Sequence, residues 1–218
     1  MLLRITEELA SRITFRRTPC LPASLLDLNL PWVGSLGINL HLGVDGLNIY
    51  LVLLTGLLFP VVLGCCWQRP ETQNNLFVAL ALPLEAPLLS PFLAQNLMLF
   101  FVFWEVVLIP MFIIVLAFGG ENKRSAAFTF FMYTMAGSIL FLAAVIMMGM
   151  ESLNQTGSWN FEFAHLMALK LDWNTQLFVF IAIMLACAIK CPLSPFPSWL
   201  PLAYYEAPPA GTALMAGA

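Results

Sequence analysis

Charged residues are scarce in this sequence. Only 10% of its 218 residues are Asp, Glu, Lys or Arg, whereas 61% are hydrophobic. A soluble domain usually carries about a quarter charged residues and fewer than half apolar ones. The chain therefore has too few polar side chains to cover a globule that faces water. We interpret it as a membrane protein.

Other residue types that would indicate a function are equally sparse. Nine Lys and Arg against twelve Asp and Glu give a net charge of −3 and no basic stripe for nucleic acid. The five cysteines show no paired metal-ligand spacing, and the two histidines, His41 and His165, lie far apart. No glycine-rich phosphate loop or haem motif is present. We therefore expect no nucleic acid, metal or redox cofactor on this chain.

Long apolar runs are what the sequence has in abundance. A hydrocarbon core about 30 Å thick requires roughly 20 apolar residues of helix. Such long runs are typical of helices, because the strands of a membrane barrel alternate in polarity. The sequence predicts an all-α, polytopic membrane helix bundle, with a further helix starting near Ala207. The five predicted spans are residues 47–67, 76–94, 97–118, 126–150 and 177–193.

The chain divides into residues 1–45, an N-terminal amphipathic and loop segment, and residues 46–218, the helix bundle. Within the first segment, prolines and glycines over residues 18–45 indicate a loop. The residues before it favour an amphipathic helix on the membrane surface, with an organelle-targeting peptide as the alternative. Four apolar residues carry that interpretation because they recur at helical spacing: Leu2, Ile5, Leu9 and Ile13.

Basic residues in short loops predict the orientation. Arg69 follows the first span, and Lys123 with Arg124 follows the third. Short loops rich in Lys and Arg remain on the cytoplasmic side of a membrane. We place these two loops in the cytoplasm or matrix, and the acidic loop over residues 151–174 on the opposite side.

Three charged residues fall inside the predicted spans: Glu85, Glu105 and Lys190. A charge at the centre of a membrane helix costs at least about 2.5 kcal/mol, so such residues face protein or water. Glu105 and Lys190 are consistent with proton handling, and equally with a static ion pair that fixes helix packing. Pro110 predicts a kink in the third span. The prolines from Pro192 to Pro201 predict a break after Lys190, and broken helices often line ion paths.

Four ordered stretches resemble one family. The run from Phe100 to Phe112, with Trp104-Glu105 at its centre and Pro110 near its end, is similar to the fifth membrane helix of subunit M (chain 4) of proton-translocating NADH:quinone oxidoreductase, respiratory complex I. Residues 41–47 resemble the start of its third helix, and residues 119–138 its loop and sixth helix. The fourth stretch resembles its seventh helix and the start of its eighth: Lys190-Cys191-Pro192, Pro195-Phe196, Ser198 to Pro201 and Glu206-Ala207-Pro208.

The resemblance implies a role for each intramembrane charge. Glu105 corresponds to the membrane-embedded carboxylate, Lys190 to its partner lysine, and Glu85 to a position where many members carry glutamate. It further implies a translocase subunit of an inner membrane, bacterial or mitochondrial. Its partners are then other membrane-arm subunits, and flavin, iron–sulfur clusters and quinone belong to partner chains.

The sequence also departs from the family pattern. Polar residues of the family are replaced by Thr129, Pro197, Leu202 and Tyr204, and Asn96 stands where an aspartate is common. The family's second inverted repeat is absent. We therefore expect a fragment, half of a split subunit whose C-terminal helices come from another chain, or a copy kept for structure. A structural membrane subunit and a subunit of a multisubunit cation/proton antiporter are the alternative functions.

Overall fold

A computed structural model describes residues 13–14, 26–69 and 72–216. The amphipathic helix predicted from Leu2 to Ile13 lies outside these residues, apart from Ile13, which belongs to a strand. The strands are β1 (Ile13–Thr14), β2 (Leu26–Val33) and β3 (Ile38–Val44). The helices are α1 (Asn48–Cys65), α2 (Asn75–Leu93), α3 (Leu97–Val106), α4 (Leu108–Phe118), α5 (Lys123–Thr156), α6 (Phe163–Leu166), α7 (Trp173–Lys190), α8 (Trp199–Glu206) and α9 (Pro209–Ala216).

The predicted spans are confirmed, since the described residues contain five candidate membrane-crossing helices. The largest difference is α5, which runs for 34 residues and is about 51 Å long at 1.5 Å per residue. It therefore extends well beyond the hydrocarbon core. It ends at Gly157, whose φ of +78° is the left-handed conformation that commonly terminates helices.

Proline divides the third span into α3 and α4. Pro110 has no N–H to donate to the carbonyl of Val106, and its ring crowds that carbonyl. The helix is interrupted at Val107, one turn before the proline. Val107 itself keeps helical dihedral angles, so the interruption lies in the hydrogen bonding, and it frees backbone carbonyls near the middle of the span.

The interpretation of residues 18–45 as a loop is wrong over two stretches. β2 and β3 form an antiparallel hairpin in which Asn29 lies opposite His41, and β1 pairs with the outer edge of β2. The prolines did not prevent strand formation because Pro31 stands next to an irregularity in the register, where a ladder hydrogen bond is dispensable. The turn uses Gly37 at a φ of +63°, and its backbone packs against the Trp159 carbonyl.

α5 is the central helix of the bundle and packs against α3, α4, α7 and α8. Gly137 permits the close approach of α7, because a Cβ there would lie 3.2 Å from the Ile189 side chain. The main apolar core lies between α2, α4, α5, α8 and α9. Its largest fully buried side chains are Phe77, Leu84, Met111, Ile114, Val115 and Leu214.

Contacts between loops define the two ends of the bundle. At one end the Gln95 N–H donates to the His41 carbonyl (2.9 Å), and the Phe163 N–H donates to the Gln95 carbonyl (3.0 Å). At the other end the Gly120 N–H donates to the Glu206 carbonyl at 2.9 Å. The hairpin and the acidic loop thus share one end, opposite the turn before Lys123 and Arg124, as the charge pattern predicts.

Candidate functional site

Lys190 is the last residue of α7. The chain cannot continue as a helix because Pro192 follows, and the next helix begins only at Trp199. The predicted break after Lys190 is therefore confirmed. From this end of α7 the lysine side chain extends towards α3, where its ammonium group donates a hydrogen bond.

The Lys190 ammonium is held by one residue of α3. Its Nζ donates to the Trp104 carbonyl oxygen at 3.1 Å and lies 4.3 Å from the centre of the Trp104 ring. Trp104 is seven residues into a 22-residue span, about 10 Å from its start. The interruption at Val107 makes the Trp104 carbonyl available, since a continuous helix would occupy it with the N–H of Leu108.

Glu105 faces α5 rather than lipid. The Ser138 hydroxyl contacts its carboxylate oxygen Oε1 and also lies 2.9 Å from the Thr134 carbonyl. A hydroxyl has only one hydrogen to donate but two lone pairs that accept. Ser138 can therefore donate to an ionised Glu105, or donate to Thr134 and accept from a protonated Glu105. The contact accommodates both protonation states of the carboxyl group.

Glu105 and Lys190 approach each other without forming an ion pair. The ion pairs found among the described residues, with nitrogen and oxygen within 4 Å, are those of His41 with Asp27 and Glu162. They do not include a pair between Lys190 and Glu105. The two charges are linked through backbone, because the ammonium binds the carbonyl of the residue that precedes Glu105. A static ion pair is therefore not what the structure shows.

Two cavities meet at Lys190. The larger one, about 300 Å³, which we call the α8 cavity, is lined by Lys190 and by Thr134, Trp199 and Tyr204 among others. The smaller one, about 180 Å³, which we call the α2 cavity, is lined by Lys190 and by residues of α2 and α3. Trp104, Val107 and Lys190 border both. An ammonium group has three donors, and only one of them is used by the Trp104 carbonyl.

The α8 cavity depends on how α8 is attached after the break. The Trp199 indole N–H donates to the Ile189 carbonyl at 2.9 Å, which ties the start of α8 to the end of α7. At its other end, the buried Glu206 carboxylate accepts from the Asn122 backbone N–H at 3.0 Å. Polar groups thus fix both ends of α8, one at the break after α7 and the other in the loop between α4 and α5.

The structure does not bring Glu85 to this site. It is half-buried on α2 and borders neither the α2 cavity nor the α8 cavity. Of the positions that depart from the family pattern, Tyr204 lines the α8 cavity, whereas Pro197 is exposed in the segment between α7 and α8. The site as folded consists of Lys190, Trp104, Glu105 and Ser138.

A second polar cluster, which sequence reasoning missed, lies at the hairpin end. His41 Nε2 is 2.6 Å from Asp27 Oδ1, and His41 Nδ1 contacts Glu162 Oε2. Asn96, which is fully buried, donates to the other Glu162 oxygen at 3.3 Å. The hydrogen bond to Glu162 raises the pKa of His41, partial burial opposes that shift, and Asp27 adds to it. Tertiary contacts between the hairpin, the start of α3 and the segment before α6 bring these residues together, so no local sequence motif identifies them.

Comparisons with known proteins agree with this architecture. Residues 94–218 match the family described as NADH:quinone oxidoreductase/Mrp antiporter, TM. The chain is 32% identical over 196 residues to NADH-quinone oxidoreductase subunit M of Escherichia coli (strain K12), covering 88% of this chain and 38% of that protein. It is 39% identical over 180 residues to NADH-ubiquinone oxidoreductase chain 4 of Mycosarcoma maydis, covering 82% and 36%. It thus spans well under half the length of these relatives.

Solved structures show the same fold. Respiratory complex I from Thermus thermophilus with bound NADH contains a chain that superimposes with a TM-score of 0.70 at 31% identity, covering 90% of this chain and 41% of that one. The Mrp complex from Dietzia sp. DQ12-45-1b gives a TM-score of 0.74 at 21% identity, covering 89% and 21%, a likeness of fold alone. Together with the family match over residues 94–218, these similarities show that the chain belongs to the NADH:quinone oxidoreductase/Mrp antiporter transmembrane family.

Proposed function

We propose that this chain is a membrane-arm component of a proton-translocating NADH:quinone oxidoreductase, and that Lys190 changes protonation during turnover. The observation that supports this most directly is that Lys190 borders two separate cavities, the α8 cavity and the α2 cavity. A group that passes protons through a membrane protein must meet each side in turn. Lys190, at the end of a broken helix with two donors unused, meets that requirement.

Glu105 is proposed to bias Lys190. An ionised Glu105 favours the ammonium form of Lys190, since opposite charges attract strongly where water is excluded. Protonation of Glu105 removes that attraction and favours release of the proton from Lys190. Ser138 allows Glu105 to switch because it bonds either form. Glu85, which lies apart from both cavities, is proposed as an accessory proton-handling group.

The proposed working assembly lies in an energy-coupling inner membrane, bacterial or mitochondrial. Its partners are other membrane-arm subunits, and flavin, iron–sulfur clusters and quinone reside on partner chains. Because the relatives are much longer than this chain, we propose that helices equivalent to the rest of their length pack against this bundle. They are supplied either by a partner chain or by a continuation of this one.

The test compares two site variants with two matched controls in the intact assembly. Lys190→Met and Glu105→Gln remove a charge at the site, whereas Lys170→Met and Glu121→Gln make the same changes at exposed positions. In proteoliposomes, we expect the site variants to lose proton pumping at least tenfold and the controls to keep it. Full pumping by Lys190→Met would overturn the proposal and favour a structural subunit without its own proton path.

A second candidate is a subunit of a multisubunit cation/proton antiporter, because the fold matches the Mrp complex closely. The two functions differ in what accompanies the chain. The purified assembly should contain flavin and iron–sulfur clusters and should reduce quinone with NADH if the first proposal holds. An assembly without these cofactors that exchanges cations for protons would favour the antiporter.

A further inference from the structure

The helix α8 is short and is separated from the helices around it. It has eight residues, which make it about 12 Å long at 1.5 Å per residue. A non-helical segment, residues 191–198, precedes it, and the extended residue Ala207 ends it. A helix of this length is not stable by itself, so its position depends on contacts with the bundle. Trp199 anchors its first residue, and Glu206 is its last.

The Glu206 carboxylate lies at the start of α5 and is 5% exposed. One oxygen accepts from the Asn122 backbone N–H at 3.0 Å, and the other lies 3.5 Å from the Asn122 side-chain nitrogen. Both neighbours are donors, as an ionised carboxylate requires. The ion pairs of the described residues are those of His41, and the Lys123 ammonium donates to the Ala117 carbonyl at 3.1 Å. The positive end of the α5 dipole therefore stabilises this charge.

Two adjacent glycines fit the loop between α4 and α5, residues 119–122, closely around Glu206. The Gly120 N–H donates to the Glu206 carbonyl at 2.9 Å. A Cβ on Gly120 would lie 2.7 Å from Glu206 Oε2, and one on Gly119 would lie 2.9 Å from the Glu206 carbonyl oxygen. Neither glycine has a positive φ. The close approach of Glu206, rather than the backbone conformation, thus excludes a side chain at Gly120.

Glu206 also determines where one wall of the α8 cavity lies. Tyr204 of α8 lines this cavity together with Lys190 of α7 and Thr134 of α5. Glu206 follows Tyr204 by two residues, at the end of the bundle opposite the hairpin. The helices α5 and α7 are long and pack against each other. Release of Glu206 would therefore move the α8 wall while the walls that carry Lys190 and Thr134 stay in place.

We propose that Glu206 is a positioning residue that closes the α8 cavity at the end of the bundle opposite the hairpin, by holding α8 against the loop between α4 and α5. The closed wall separates the cavity from water at that end. Without it, water enters the cavity permanently from one side, and protons leak back through the assembly. The position of α8 stands on the contacts of Glu206, whereas the effect on pumping rests on the proposed function.

A buried cysteine tests whether the wall opens. Thr134 is 3% exposed and lies on α5 rather than on α8, so Thr134→Cys places a thiol inside the cavity on a helix that stays in place. The reagent is a positively charged methanethiosulfonate, applied to the intact assembly in lipid nanodiscs. Mass spectrometry of the peptide measures labelling at this residue alone, so the native cysteines remain. Ser125→Cys, at an exposed position of the same helix, should label at the same rate in every variant.

Two substitutions disturb the contact from opposite sides. Glu206→Ala removes the carboxylate, and Gly120→Ala inserts a methyl group against it. We expect Thr134→Cys to label at least fivefold faster with Glu206→Ala and also faster with Gly120→Ala. Because both act on one contact, the double variant should label no faster than Glu206→Ala alone. If Glu206→Ala does not assemble, Gly120→Ala alone carries the test.

The controls make matched changes where no such contact exists. Glu121→Ala removes an exposed glutamate of the same loop, and Gly46→Ala adds a methyl group where nothing lies within 4 Å. Both should leave the labelling of Thr134→Cys unchanged. Native labelling with both Glu206→Ala and Gly120→Ala would overturn the proposal, as would additive effects of the two.

Proton pumping per NADH oxidised separates positioning from general damage. Glu206→Ala should lower this ratio at least threefold while NADH oxidation continues at the native rate, whereas loss of assembly would lower both rates together. Lys190→Met separates this inference from the proposed function. If Lys190→Met pumps normally, the proposed function fails, and the labelling still decides the role of Glu206. If Lys190→Met abolishes pumping while labelling with Glu206→Ala stays native, only the role of Glu206 is refuted.

Discussion

His41 and Glu162 stand 121 residues apart in the sequence, and their side chains form a hydrogen bond at the hairpin end of the bundle. His41 belongs to β3 and Glu162 precedes α6, so the bond ties the hairpin to the segment after α5. The second Glu162 oxygen accepts from Asn96, and Asn96 also caps the start of α3. The cluster therefore connects three parts of the chain to the helix that carries Trp104 and Glu105.

The raised pKa of His41 predicts that this connection weakens as the pH rises. The folded pKa lies above the ordinary value of 6.5, so the protonated imidazole stabilises the folded hairpin fully below pH 6.5. That stabilisation is lost as the pH rises through the folded pKa. We expect amide exchange over residues 38–44, corrected for the intrinsic rate, to increase across this range.

His41→Gln should abolish that pH dependence, because glutamine hydrogen-bonds without titrating. His165→Gln is the control, since His165 is the only other histidine of the chain and contacts Ser152 rather than a carboxylate. Hairpin exchange that follows the same pH curve in His41→Gln as in the native protein would contradict the assignment.

The spans and the broken helix were predictable because each depends on a pattern that is local in sequence. A run of about 20 apolar residues is long enough to cross a bilayer, and Pro192 must end the helix that contains Lys190. The hairpin and its cluster were not predictable in this way. Pro31 and Gly37 suggested a loop, and the strand pairing that overrides them joins residues 13–14, 26–33 and 38–44.

The site itself was only half predictable. Glu105 and Lys190 stood out because isolated charges in hydrocarbon are costly. Their actual partners did not stand out, since Ser138 is an ordinary small residue of α5 and the Trp104 partner is a backbone carbonyl. Such contacts depend on the interruption at Val107 and on helix packing, which residue types alone do not specify.

Trp104 should matter to Lys190 through its ring as well as through its carbonyl. A cation above an aromatic ring gains about 0.5–2 kcal/mol, and Lys190 Nζ lies 4.3 Å from the indole centre. Trp104→Leu removes the ring but keeps the carbonyl, whereas Trp104→Phe keeps an aromatic face. We expect the rate of proton pumping by the intact assembly to fall several-fold in Trp104→Leu and to fall less in Trp104→Phe. Equal effects of the two variants would show that ring volume, rather than its electrostatics, matters.

Ser138 and Glu105 should be energetically coupled. Ser138→Ala removes the hydroxyl that contacts the carboxyl group, and loss of a partner to a charged or buried polar group costs about 1–3 kcal/mol. In a double-mutant cycle with Glu105→Gln, we expect an interaction energy above about 0.5 kcal/mol in the free energy of unfolding, measured by thermal denaturation. Ser125→Ala, at an exposed position at the start of the same helix, is the control and should be additive with Glu105→Gln. Additivity of Ser138→Ala with Glu105→Gln would remove Ser138 from the site.

Gly37 provides a test of the hairpin that does not depend on titration. Its φ of +63° is unfavourable for residues with a side chain, and a Cβ would lie 1.9 Å from the Trp159 carbonyl oxygen. Gly37→Ala must therefore displace the turn from the Trp159 backbone. We expect a loss of more than about 1 kcal/mol in hairpin stability, measured as faster amide exchange over residues 26–44.

Gly34→Ala is the matched control in the same turn, because a Cβ there meets nothing within 4 Å and the φ of Gly34 is not positive. Since the hairpin contacts Gln95 and Glu162 through His41, protection at residues 161–163 should fall in Gly37→Ala and persist in Gly34→Ala. Native exchange in both variants would show that the turn does not depend on its contact with Trp159.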